Sequence, residues 1–165
     1  MLLKTRTLRA MFLSISLAVG MAFAVPALAD DASVVDFHRD TEFNLYLNLS
    51  STTASTSGQQ KGETSPVMIY PTRCTVDVCK IRADASVNRD GAWATNSSIT
   101  VNGYGLIYDS DVASRLLLKT NIHEYGYSYA RLTATRISYS GVIGGVWSPD
   151  SNSQSGDTII NVGYR

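Results

Sequence analysis

Histidine and cysteine are the scarcest reactive side chains in this 165-residue chain, with two of each. A serine-type triad would need His38 or His123 held beside a serine and a carboxylate. Asp36 and Glu124 are neighbours of the two histidines only along the chain. There is no Gly-x-Ser-x-Gly elbow and no His-Glu-x-x-His, because His123-Glu124-Tyr125 lacks the second histidine. Cys74 and Cys79 cannot complete a tetrahedral zinc site alone, and their spacing is not Cys-x-x-Cys. The expectation is a non-enzymatic protein with no cofactor and no metal. Charge is also sparse, at 17% of residues, and no basic cluster of the kind nucleic acids require stands out. Beyond residue 29 no apolar run is long enough for a stable membrane span.

The first 29 residues read as a cleaved signal peptide. Lys4, Arg6 and Arg9 precede the apolar run from Met11 to Phe23, and Ala27-Leu28-Ala29 has the small-x-small form of a cleavage site. Residues 30–165 are then one exported β-rich domain, in the periplasm, outside the cell or on its surface. Losing three leader cations leaves eleven bases against 14 acids, a mature charge of about −3. Export also favours an oxidised Cys74–Cys79 pair. In one straight strand their Cα atoms would stand ~16 Å apart, against the ~5–6 Å a disulfide needs. The pairing therefore requires a tight bend between them.

Period-two patterning dominates the mature chain. Phe43, Leu45, Leu47 and Leu49 alternate with Asn44, Tyr46 and Asn48. Residues 50–65 are almost wholly small and polar and read as a flexible loop. Val67 to Tyr70 and Thr75 to Ala83 read as strands, the second with a parity switch near Cys79. Asn102-Gly103 fits a type I′ hairpin turn between Ile99-Thr100-Val101 and Tyr104 to Tyr108. Asp109 or Ser110 opens a single helical candidate, with Val112, Ala113, Leu116 and Leu117 on one face and Lys119 in its last turn. Asp109 and Asp111 read as capping residues there rather than as a glycosidase pair. Tyr125 to Tyr139 is a long strand pattern, and Gly141, Gly144 and Gly145 predict a turn or bulge between shorter strands. Asp150, Asn152 and Asp157 are oxygen donors without EF-hand spacing. Ile160, Val162 and Tyr164 alternate in a last strand.

These elements predict an all-β antiparallel sandwich, immunoglobulin-like, with one short helix. The alternative is a small β-barrel carrying that helix. The candidate contact surface is a Tyr/Arg face made of Tyr125, Tyr127, Tyr129, Arg131 and Tyr139, joined by Trp147 on its glycine-rich segment. Tyrosine, tryptophan and arginine carry much of the energy of known interfaces.

The closing Ile160-Asn161-Val162-Gly163-Tyr164-Arg165, an alternating strand with a penultimate tyrosine, resembles the end of a chaperone–usher pilus subunit. That resemblance implies an incomplete immunoglobulin-like fold completed by a neighbour's strand, with Val34, Val35 and Phe37 as the donor arm. It covers the leader and the last residues only. Asn152 stands where such subunits have a glycine, and their cysteines are far apart in sequence. The functional expectation is a pilus or adhesion-type subunit whose partner is another protein or a further copy of itself. A periplasmic immunity or inhibitor protein and a secreted toxin subunit binding sugar or membrane are the alternatives.

Overall fold

The computed structural model describes residues 40–162. The leader, the arm residues Val34, Val35 and Phe37, His38 and the closing Tyr164 lie outside the described residues.

The fold begins with the clearest alternation. In β1 (Thr41–Leu47), Phe43, Leu45 and Leu47 are buried while Glu42, Asn44 and Tyr46 are exposed. Opposite residues in an antiparallel pair share a face, and β1 pairs with β9 (Gly141–Ser148) by setting Leu45 against Ile143. The other flank of β9 takes β4 (Val67–Cys74), which pairs in turn with β7 (Leu116–Leu118). β7 takes β10 (Thr158–Ile159) in parallel. The first sheet therefore runs β1-β9-β4-β7-β10. The second runs β2-β8-β5-β6, where β2 is Thr53–Ser55, β8 Tyr129–Arg136, β5 Val78–Ser86 and β6 Gly105–Tyr108. A short β3 (Gln59–Gln60) also pairs with β8. One apolar cluster joins the inward faces of both sheets: Phe43, Ile69 and Leu116 from the first, Ile81, Ile107 and Leu132 from the second.

The molecule is thus nearly all β, in two sheets that do not close into a barrel. The barrel expectation is corrected, and so is the helix. Asp109–Asp111 form only a 3-10 turn, capped where the Asp111 carboxylate accepts the Tyr108 N–H at 2.9 Å. Ala113 then takes φ 63° and donates its N–H to the Pro71 carbonyl at 2.8 Å. A left-handed alanine ends helical continuation. The leucines that looked like a helix face are a strand buried on both sides, which needs no alternation.

Asn102 and Gly103 do take positive φ, 59° and 82°. They join no hairpin. Ile99 to Val101 bonds to the chain leaving β7, with Thr100 bridged to Thr120, while β6 pairs with β5. The turn is a crossing between sheets. Asn161 holds it, accepting the Lys119 N–H and donating its amide to the carbonyls of Val101 and Lys119.

Gly144 and Gly145 break nothing. They sit mid-strand in β9, where a Cβ on Gly145 would lie 2.1 Å from the Tyr70 carbonyl oxygen. Central pairing, not turning, requires them. The segment 50–65, expected to be loop, carries β2 and β3 and, directly after β3, Lys61, whose side chain is fully buried. The Lys61 ammonium donates to the Ser65 carbonyl (2.6 Å), the Pro149 carbonyl (2.8 Å) and Asp150 Oδ1 (2.7 Å). Asp150 also accepts the Gly62 N–H and the Ser65 hydroxyl. Burial pushes the Lys61 ammonium down from its ordinary range, and the Asp150 hydrogen bond opposes that shift. Asp157 is likewise engaged, by Arg115. Both aspartates of the oxygen-donor loop are therefore paired with the chain's own cations.

Candidate functional site

In β5 the side chains of Cys79, Ile81, Ala83 and Ala85 enter the core, which turns Lys80, Arg82, Asp84 and Ser86 to the opposite face. In β8, Ala130, Leu132 and Ala134 do the same for Tyr129, Arg131, Thr133 and Thr135. Register completes the surface. Arg82 lies opposite Thr133 and Asp84 opposite Arg131. β2 adds Ser55 and Thr53 beside Thr133 and Thr135, with Ser55 and Thr133 hydroxyls 2.7 Å apart.

Asp84 organises this face. Its side chain is fully buried, as is Ser86 beyond it, whereas Arg82 on the other side is part-exposed. It accepts Arg82 Nε at 2.7 Å, Arg131 Nε at 3.1 Å and the Thr133 hydroxyl at 2.6 Å. Each guanidinium is gripped through Nε, the inner nitrogen, so its two outer amino groups are not the ones spent on Asp84. Arg82 and Arg131 are 34% and 26% exposed. They are diagonal neighbours across the two strands, close enough for both to reach one ligand.

Two rings seat the cations. The Arg131 guanidinium carbon lies 4.7 Å from the centre of the Trp93 ring, and the Lys80 ammonium 4.4 Å from that of Tyr104. Trp93 reaches its place across Gly58, where a Cβ would be 2.5 Å from the indole. Among the described residues, shallow depressions mark this part of the surface. One of about 280 Å³ is bounded by Lys80, Arg82, Tyr104 and Thr135. One of about 560 Å³ lies among Ser57, Arg89, Trp93 and Arg131. A third, about 540 Å³, shares Ser57, Gly58 and Arg89 with the second and extends to Asp40, Glu42 and Tyr129. Four cations, Lys80, Arg82, Arg131 and Arg89, therefore line the first two depressions of a chain whose formal net charge is zero.

The residues expected to form a recognition face are divided by the structure. Tyr129 and Arg131 belong to this surface. Tyr125 is exposed on the turn before Gly126, whose φ of 76° interrupts the alternation, and Tyr127 packs half-buried against the core. Tyr139 is exposed beyond the end of β8. Trp147 must be corrected. It is 1% exposed, facing inward from β9 between Thr41 and Ile69, and no contact surface reaches it. Sequence reasoning missed Lys80, Arg82 and Asp84. Their signal was available: charges at alternate positions between Cys79, Ile81, Ala83 and Ala85 describe a strand with one wholly ionic face.

The cysteines are free thiols in the structure. The expected Cys74–Cys79 disulfide is not formed: Cys74 ends β4 in the first sheet, Cys79 stands near the start of β5 in the second, and residues 75–77 link the two strands. Cys74 donates to the Val76 carbonyl at 3.3 Å. Burial raises both thiols, Cys79 to about 12, with Cys74 adding to the effect.

Residues 28–151 match the family described as "Protein of unknown function (DUF2712)". No curated protein and no solved structure matches the chain.

Proposed function

The chain belongs to the DUF2712 family, and for it we propose an exported, non-enzymatic binding module of the adhesion type. Its contact surface is the outer face of the second sheet. The single observation that carries this reading is Asp84, a carboxylate buried at the centre of a solvent-side face and committed to fixing two arginines with their outer nitrogens free to bind. Preorganised side chains lose little entropy on binding, and arginine and aromatic residues are the usual anchors of contact.

The scaffold we propose for it is a β-sandwich wound as a jelly roll rather than as an immunoglobulin domain. The orders β1-β9-β4-β7 and β2-β8-β5-β6 support this, since each sheet alternates early and late strands. An immunoglobulin-like sandwich keeps its first two strands in one sheet, whereas β1 and β2 lie in different sheets here. The proposal of export rests on the leader pattern of residues 1–29, which predicts a mature amino terminus at Asp30.

The test is a photo-crosslinking amino acid at Tyr104, on the face, against one at Tyr139, away from it. Both are placed in the full chain expressed in the cells that make it, and the exported material is sequenced from its amino terminus. Crosslinks to a macromolecule from Tyr104 and not from Tyr139, on protein beginning at Asp30, are the expected result. Equal crosslinking from both positions, or from neither, overturns the assignment of the face. Retention of the leader overturns export.

A further inference from the structure

We propose that this face takes an acidic polysaccharide, with uronate-type carboxylates as the groups that Arg82 and Arg131 recognise. The inference rests on the reading of the outer face as the contact surface and adds the chemical class of its occupant. Four observations carry it. Lys80, Arg82, Arg131 and Arg89 are cations along two depressions whose acids are Asp84, buried and already shared between two arginines, and Asp90. The outer nitrogens of a guanidinium held through Nε form the planar fork that receives a carboxylate in two parallel hydrogen bonds. Thr135, with Thr53 in register, sets hydroxyls beside Lys80 and Arg82, where sugar hydroxyls find donors and acceptors, while the buried Thr133 hydroxyl is given to Asp84. The depressions are shallow and follow one another across the sheet, which suits the middle of a linear polymer better than a compact small molecule.

The aromatic rings argue against nucleic acid. Single-strand binders offer bare rings on which bases stack. Here Trp93 already carries Arg131 on its face and Tyr104 carries Lys80. These rings hold cations in place rather than offering open platforms. Asp40 and Glu42 border the third depression and set a repulsive limit to the polyanion path at that end.

The experiment uses the mature chain and polygalacturonate, with fully methyl-esterified polygalacturonate as the uncharged control, followed by affinity electrophoresis and calorimetry. Binding to the acid form, weakening as salt rises, and at least tenfold weaker binding to the ester are expected. Lys80→Gln and Arg89→Gln, neither of which touches Asp84, each lower affinity about two- to fivefold without moving the thermal midpoint. Arg82→Gln with Arg131→Gln lowers it by tenfold or more, and Arg73→Gln, on the first sheet, leaves it unchanged. Equal binding to the ester, or equal loss in Arg73→Gln, overturns the proposal. Equal retention on single-stranded DNA assigns the row to polyanions at large and overturns it too. If Tyr104 still crosslinks a macromolecule while polygalacturonate fails to bind, the face is a contact surface with a different occupant, and only this inference falls.

Discussion

Replacing Lys61 by methionine keeps most of the side-chain volume and removes one charge and three hydrogen-bond donors. In the native protein those donors go to two carbonyls and Asp150, with both charged side chains fully buried. Breaking one half of a buried ion pair typically costs ~3–5 kcal/mol, because the remaining charge stays dry and unpaired. Asp150 keeps the Gly62 N–H and the Ser65 hydroxyl, so the lower end applies, about 3 kcal/mol. In a domain of this size that lowers the thermal midpoint by roughly 10 °C. The double variant Lys61→Met/Asp150→Leu removes the orphan charge as well and should return to within about 1 kcal/mol of the parent. Urea unfolding at pH 7 gives both values from one fitting procedure.

The same pair ends the segment that supplies Ser57, Gly58 and the β3 glutamines to the cleft. Lys61→Met should therefore raise amide exchange across residues 57–60 before global unfolding begins. A cost below about 1 kcal/mol for Lys61→Met, or a double variant as unstable as the single one, would refute the claim that this pair pins the segment.

Other consequences are as direct. Gly145→Ala should destabilise the protein by at least ~3 kcal/mol, since its methyl meets strand backbone at 2.1 Å and cannot be avoided by a rotamer; a loss under 1 kcal/mol in denaturant melts would show the approach is looser. Trp93→Phe should leave blue-shifted fluorescence that acrylamide hardly quenches, because the only other tryptophan is the buried Trp147; a red-shifted, quenchable residue would contradict that burial. Cys79, raised to about 12, should resist iodoacetamide at pH 8 in native protein and react in denaturant. Purified protein lighter by two hydrogen atoms than the reduced chain, with neither cysteine alkylated even in denaturant, would instead establish the Cys74–Cys79 disulfide. For the reduced protein the sign of the pH effect follows from the raised value: Cys79 contributes fully below its unfolded pKa near 9, and the contribution is lost as pH rises toward about 12. The midpoint of the parent minus that of Cys79→Ala should therefore narrow above pH 9, and a constant gap would contradict the shift.

What could be read from the chain was whatever repeats along it. The alternation of β1 and the inward small residues of β8 follow from a period of two, and the positive φ at Asn102 and Gly103 follows from residue chemistry. What could not be read depends on partners distant in sequence. β2 and β3 have three and two residues, too short to carry a period, and they are strands only because β8 lies beside them. Leu116 to Leu118 resemble a helix face until β4 and β10 are placed on either side. Lys61 in a polar segment gave no sign that it would be buried, because its reason is Asp150, 89 positions away. The long tyrosine pattern misled for a related cause. Gly126 interrupts it, so a parity that looked continuous from Tyr125 to Tyr139 belongs to β8 only from Tyr129 to Arg136.

Asp84 shows how placement separates stability from function. A strand that turns one face to the core needs only polar residues on the other, and a threonine at position 84 would meet that need without burying a charge. Burying a carboxylate costs several kcal/mol before its partners compensate, and ion pairs of this type are often no more stabilising than the apolar residues that can replace them. The partners here compensate in a particular way. Both arginines are bound through the nitrogen nearest the backbone, so their outer nitrogens are not spent on Asp84, and Trp93 and Tyr104 carry Arg131 and Lys80 on their ring faces. Three ordered long cations on one open face lose side-chain entropy that folding alone does not require them to lose. An arrangement that sets aside stability to order cations at the surface supports the proposed reading of this face as one that meets an acidic ligand. Asp84→Asn accordingly separates the two roles: the amide keeps the shape, stability falls modestly, and affinity for an acidic ligand falls further than stability does. A variant that loses stability and keeps full affinity would show that the arginines need no fixing, and with that the argument for this face would fail.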